Sequence, residues 1–149
     1  MRSYAVSFAR VRSPSGPMRR YPLLSSILAI GGREHVVNFL IDSGSDYSIL
    51  PQGLVRGAFG MHPEELPSGE TLQGFGGIVQ TRVVRGTVRF GMANHPFEAT
   101  ISFHVPKDGG IEPAFAVLGR EPFFDRFRVD FRMGYRKKGI EGKYILYGD

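Results

Sequence analysis

The chain has 149 residues, of which 42% are hydrophobic and 22% charged, and its formal net charge is +5. That length suits one domain with a sizeable core, and we read 1–149 as a single unit. There are no cysteines, which excludes disulfides, thiolate metal sites and cysteine nucleophiles, and no stretch is apolar enough to cross a bilayer as a helix.

Twenty glycines and ten prolines punctuate the chain, and long runs of helical period are missing, so short strands and turns are expected. Residues 10–20, rich in Ser, Pro, Gly and Arg, read as a loop, and 1–20 as a mobile arm. Residues 22–30 and 34–41 flank Gly31-Gly32 and read as a hairpin, because glycine supplies the positive φ of a tight turn. The run Val36-Val37-Asn38-Phe39-Leu40-Ile41 is nearly all apolar and reads as a strand buried on both faces. It ends in Asp42-Ser43-Gly44-Ser45-Asp46. A polar turn at the end of a rigid strand is well placed for chemistry.

Tyr47-Ser48-Ile49-Leu50-Pro51 leads out of the turn. Residues 52–61 predict a short helix, 62–70 a loop, and 71–84 a second hairpin with Gly74-Phe75-Gly76-Gly77 at its tip. A strand continues over 87–90. Residues 97–105 alternate, with Phe97, Ala99, Ile101, Phe103 and Val105 on the buried face and His104 on the other. After a loop at 106–113, an apolar strand over 114–118 stops at Gly119. Residues 121–127 predict the one clear helix, with Pro122 in its first turn and Phe123, Phe124 and Phe127 toward the core. Residues 128–132 read as a strand paired with 143–147.

Three of these elements, taken in this order, resemble the retropepsin-like aspartic peptidases over roughly residues 22–131. Phe39-Leu40-Ile41-Asp42-Ser43-Gly44-Ser45 matches the family's apolar strand followed by Asp, Thr or Ser, and Gly. Gly74-Phe75-Gly76-Gly77-Ile78 is similar to the family's flap. Ala116-Val117-Leu118-Gly119-Arg120 resembles the segment that crosses behind the active-site turn. In retroviral members an Arg after that Gly pairs with an Asp two residues past the turn's Gly, and here those positions hold Arg120 and Asp46.

The resemblance implies an all-β, closed-barrel-like fold with one short C-terminal helix. It also implies an aspartic endopeptidase that needs no cofactor or metal. Asp42 would be the catalytic carboxylate. Two carboxylates forced about 3 Å apart cannot both ionise easily, so one can activate water while the other holds a proton. The chain has a single Asp-Ser-Gly, so the resemblance implies a homodimer in which each subunit supplies one Asp42. Ser43 and Gly44 would shape and brace the turn. Asp46, Phe75, Gly76 and Gly77 would meet the peptide or protein substrate, and Gly119 and Arg120 would give structural support.

The chain departs from the pattern at 133–149, a divergent and basic C-terminal extension. In retroviral members the chain ends build much of the dimer sheet, so this tail could form a different interface or occlude it. A catalytically inactive dimerisation or peptide-binding module is therefore the alternative. The first 12 residues show no continuous apolar run of a signal peptide, and a cytoplasmic location is the expectation. The basic balance raises nucleic acid as a partner. Basic residues are scattered apart from one cluster at 136–138, which favours a solvated surface. His35, His62, His95 and His104 show no metal-ligand spacing and read as structural or solvated.

Overall fold

The computed structural model describes residues 1–74, 77–107, 113–137 and 140–149. Strands dominate them, as the glycine and proline punctuation predicts. β1 (Arg2–Ser7), β2 (Ala9–Arg12), β3 (Met18–Tyr21), β4 (Leu23–Ile30) and β5 (Arg33–Ile41) come first. α1 (Gln52–Gly57) and a 3-10 turn (Pro63–Glu65) lead to β6 (Leu72–Gly74), β7 (Gly77–Val79), β8 (Thr81–Met92) and β9 (His95–Pro106). β10 (Ala116–Leu118), a helical segment (Arg120–Phe124), β11 (Arg128–Lys137) and β12 (Ile140–Gly148) follow.

The largest sheet has the order β10-β5-β4-β8-β9, and a second sheet has the order β1-β12-β11. Gly31 and Gly32, with φ of 56° and 82°, make the expected turn between β4 and β5. That turn fixes the register from Ile30 opposite Arg33 to Leu23 opposite Leu40. The two outer strands of the five-stranded sheet are joined by a segment outside any named strand. Ile49 bridges Val117 of β10 on one side and His104 of β9 on the other. The sheet therefore closes into a ring, an all-β architecture of the class the sequence implies. Inside it pack Leu24, Leu28, Phe39, Ile101, Phe103 and Leu118, each at most 1% exposed.

Several expectations change. Residues 10–20 are a loop only in part, because β2 and β3 form a ladder with Arg10 opposite Arg20. Its turn is closed by the Ser13 N–H donating to the Pro17 carbonyl at 2.9 Å. The polar composition of these strands hid a pairing that hydrophobic pattern alone cannot signal. β5 is half-buried rather than buried on both faces. Val37, Phe39 and Ile41 point inward while Val36 is 72% exposed, so the outer face there lies open to solvent. The helix expected over 121–127 is a short irregular turn. Glu121 is extended, the Glu121–Pro122 peptide is cis, and the Phe127 N–H reaches the Phe123 carbonyl at 2.9 Å. The extended backbone at Glu121 interrupts the run near its start. Packing nevertheless holds Phe123 and Phe127 buried and Phe124 partly so.

The strand expected over 128–132 pairs with 143–147 as anticipated, from Arg128 opposite Tyr147 to Arg132 opposite Lys143. β11 runs on to Lys137, so two residues of the basic cluster lie on it and the third lies outside the described residues. β12 also pairs with β1, from Arg2 opposite Gly148 to Ser7 opposite Lys143, which makes β12 the centre of its sheet.

Candidate active-site turn

Asp42 sits where β5 leaves the ring. Its backbone N–H donates to the Leu118 carbonyl at 3.1 Å, and its carbonyl accepts from the Ser45 N–H at 3.2 Å. The Gly44 N–H donates to Asp42 Oδ1 at 2.9 Å, so the carboxylate folds back over its own turn. A Cβ on Gly44 would stand 3.2 Å from that same oxygen, which explains why the smallest residue suits the position. Asp42 is half-buried, and Ser43 and Gly44 are exposed. The turn is thus held by backbone bonds and leaves its polar groups toward solvent.

Gly119 locks the turn from behind. β10 lies parallel to β5, with Leu118 opposite Ile41, and exchanges bonds with Ile49 at 2.8 and 2.9 Å. A side chain at Gly119 would collide with the Tyr47 and Ser45 carbonyl oxygens. The chain then continues through the Arg120 N–H to the Ser45 carbonyl at 2.8 Å and the Glu121 N–H to the Asp46 carbonyl at 2.9 Å. Ser48, fully buried, accepts from the Gly119 N–H at 3.1 Å and donates to the Glu121 carbonyl at 3.3 Å. Arg120 and Asp46 form the ion pair expected of them, with both side chains more than half exposed.

The hairpin expected over 71–84 is present in its arms. β6 and β7 pair from Leu72 opposite Val79 to Gly74 opposite Gly77, and Gly77 has a φ of 98°. Phe75 and Gly76, expected at its tip, lie outside the described residues.

Two solved structures are similar to this chain in fold. A retropepsin-like aspartic protease from Rickettsia conorii is 16% identical, with 97% of this chain and 91% of that one covered, at a TM-score of 0.53. EIAV protease, solved in complex with the inhibitor HBY-793, is 21% identical, with 70% of this chain and 86% of that one covered, at a TM-score of 0.50. The chain has the retropepsin fold. At these identities the likeness is one of fold. No protein-family model matches the sequence, and no curated protein is significantly similar to it.

Within this retropepsin fold, a cavity of about 780 Å³ opens beside Tyr47. Asp42 does not line it; Tyr47, Glu70, Arg85, His104 and Glu121 do. Sequence reasoning placed His104 on an exposed face, yet it is only 7% exposed. The cause is the chain leaving the Asp42 turn. The His104 N–H donates to the Ser48 carbonyl, and its carbonyl accepts from the Leu50 N–H, which brings Tyr47 over the imidazole, with Gly69 close to its Cδ2 edge. The Tyr47 and His104 rings lie 4.6 Å apart. Burial pushes the His104 pKa down, with Glu70 and Glu121 pulling the other way more weakly. Ser48 was also missed. A lone serine leading into Ile49-Leu50 was its one available signal. Among the described residues, no cluster of three or more His, Asp or Glu could hold a metal ion.

Proposed function

We propose that this chain is an aspartic endopeptidase whose active site is completed by two Asp42 carboxylates across a homodimer twofold. The observation that carries the proposal is the turn itself. Asp42 is braced by the Leu118 carbonyl and the Gly44 N–H, with Gly119 wedged behind it. That rigidity is what a carboxylate needs to be held against a like-charged partner.

In this mechanism an ionised carboxylate of the pair takes a proton from water as the water oxygen attacks the peptide carbonyl carbon. The protonated carboxyl hydrogen-bonds the carbonyl oxygen. A proton then passes to the amide nitrogen as the C–N bond breaks, releasing an acid and an amine. The shared proton belongs to the pair. Ser43, exposed beside Asp42, would brace one turn against the other. The β6–β7 hairpin would cover an extended substrate, and Asp46 would meet the substrate at the rim.

The test is cleavage of denatured casein from acidic to neutral pH. Wild type should cut and Asp42→Asn should not, with the variant keeping the same sedimentation behaviour. Equal cleavage by both would refute the assignment. Peptide binding without cleavage would replace it with a peptide-binding module.

A further inference from the structure

The β2–β3 hairpin builds a cavity that shares no residue with the Asp42 turn or with the cavity beside Tyr47. Its volume is about 440 Å³, and Arg10, Met18, Arg19, Arg20, Tyr21 and Met133 line it. The ladder gathers these arginines, with Arg10 opposite Arg20 and Arg19 beside them opposite Val11. Like charges placed directly opposite each other repel. Among the described residues neither Arg10 nor Arg19 has a carboxylate partner, and both are exposed. No carboxylate lies near them in sequence either, because residues 1–33 hold six arginines and no Asp or Glu. Met18 and Met133 are 47% and 54% exposed, so two large apolar side chains stand open to solvent beside these guanidinium groups. Tyr21 packs on Phe115 with ring centroids 5.2 Å apart, which gives the cavity a supported aromatic wall.

We infer that this cavity binds a small phosphate ester, its phosphate between the guanidinium groups and its organic part against Met18, Tyr21 and Met133. Guanidinium forks donate paired hydrogen bonds that match phosphate oxygens. A phosphate monoester carries a charge of about −2 near neutral pH, so it offsets the Arg10–Arg20 repulsion more fully than a single carboxylate could. The methionines and Tyr21 offer contact to an apolar or planar group joined to that phosphate. A volume of about 440 Å³ lies within the range of small-molecule sites. An extended polyanion fits less well. It needs cations placed along a track, and Arg12, the next arginine of the ribbon, already donates to the Gly16 carbonyl at 2.9 Å. The site makes no use of Asp42 and stands apart from the peptidase reading.

The experiment is an amide NMR titration of the full-length chain, at constant ionic strength, with phenyl phosphate, inorganic phosphate and benzoate. Saturable shifts at Arg10, Arg19, Tyr21 and Met133 are expected with phenyl phosphate, with weaker binding of inorganic phosphate and none of benzoate. The Arg10→Gln/Arg19→Gln double variant, its fold checked by the dispersion of the same spectrum, should bind phenyl phosphate about tenfold or more weakly. Met133→Ser should narrow the gap between phenyl phosphate and inorganic phosphate. Equal response to benzoate, no saturable shift at those residues, or unchanged affinity in the double variant would overturn the site. An unchanged gap in Met133→Ser would overturn the placement of the organic part. Tighter binding of a thymidine oligonucleotide or of phosphatidic acid vesicles, with shifts spreading beyond the cavity, would overturn the small ligand in favour of an extended polyanion.

Discussion

At the scale of single residues, burial separates two polar groups that look alike in sequence. Asp42 and His104 both follow apolar residues, yet one is half-buried in a turn and the other is enclosed. Enclosure gives His104 a pH signature. Its folded pKa lies below the ordinary value of about 6.5. Above that pH both folded and unfolded states hold it neutral. As pH falls through about 6.5 the unfolded chain takes up the proton first, so stability is lost until the folded pKa is also passed. Glu70 and Glu121 moderate the loss. Urea midpoints measured from pH 8 to pH 5 should fall more steeply for wild type than for His104→Gln. Parallel pH profiles would show that His104 is not the group responsible.

At the scale of elements, the crossing of β10 behind the Asp42 turn is the closest glycine approach among the described residues. Gly119→Ala would drive a Cβ into two backbone carbonyls, which cannot rotate away as a side chain could. A cost of about 3 kcal/mol or more is expected from urea unfolding. Gly134→Ala is the control. Nothing lies within 4 Å of a Cβ there, so its effect should stay within about 0.5 kcal/mol. A similar cost for both would contradict the close crossing.

This element also shows what was legible in the sequence. Gly31-Gly32, the Asp42 turn, the Gly119 stop and the alternation of β9 are all local patterns, and each found its place. The misreadings share a different cause. The enclosure of His104 depends on Tyr47 and Gly69, distant in sequence, meeting its ring, and β1 through β3 depend on partners that composition does not reveal. Arg10 and Arg20 face each other across a ladder although their neighbourhood reads as loop. Periodicity reports which face of a strand is apolar; it does not report what later covers the other face.

At the scale of the whole molecule, the proposed chemistry is a property of two chains. On that proposal one Asp42 per subunit would make each chain half a site, and specific activity should fall on dilution as the proposed dimer dissociates. Adding excess Asp42→Asn chains to a fixed amount of wild type should deplete wild-type pairs. Activity should then drop well below the value set by the wild-type chains alone. Activity that tracks only the amount of wild type would mean that the site is not shared.

The central place of β12 also sets an order in time. Among the described residues β1 has its ladder only with β12, and Ser7 meets Lys143 at the near end of that ladder. A chain emerging from the ribosome at about 5–20 residues per second carries β1 out well before β12. It waits for its partner until β12 arrives. The β4–β5 hairpin can close as soon as Gly31-Gly32 and its arms are exposed, because its contacts are local. The β1–β12 ladder therefore closes later than the β4–β5 hairpin, because its two strands lie far apart in sequence.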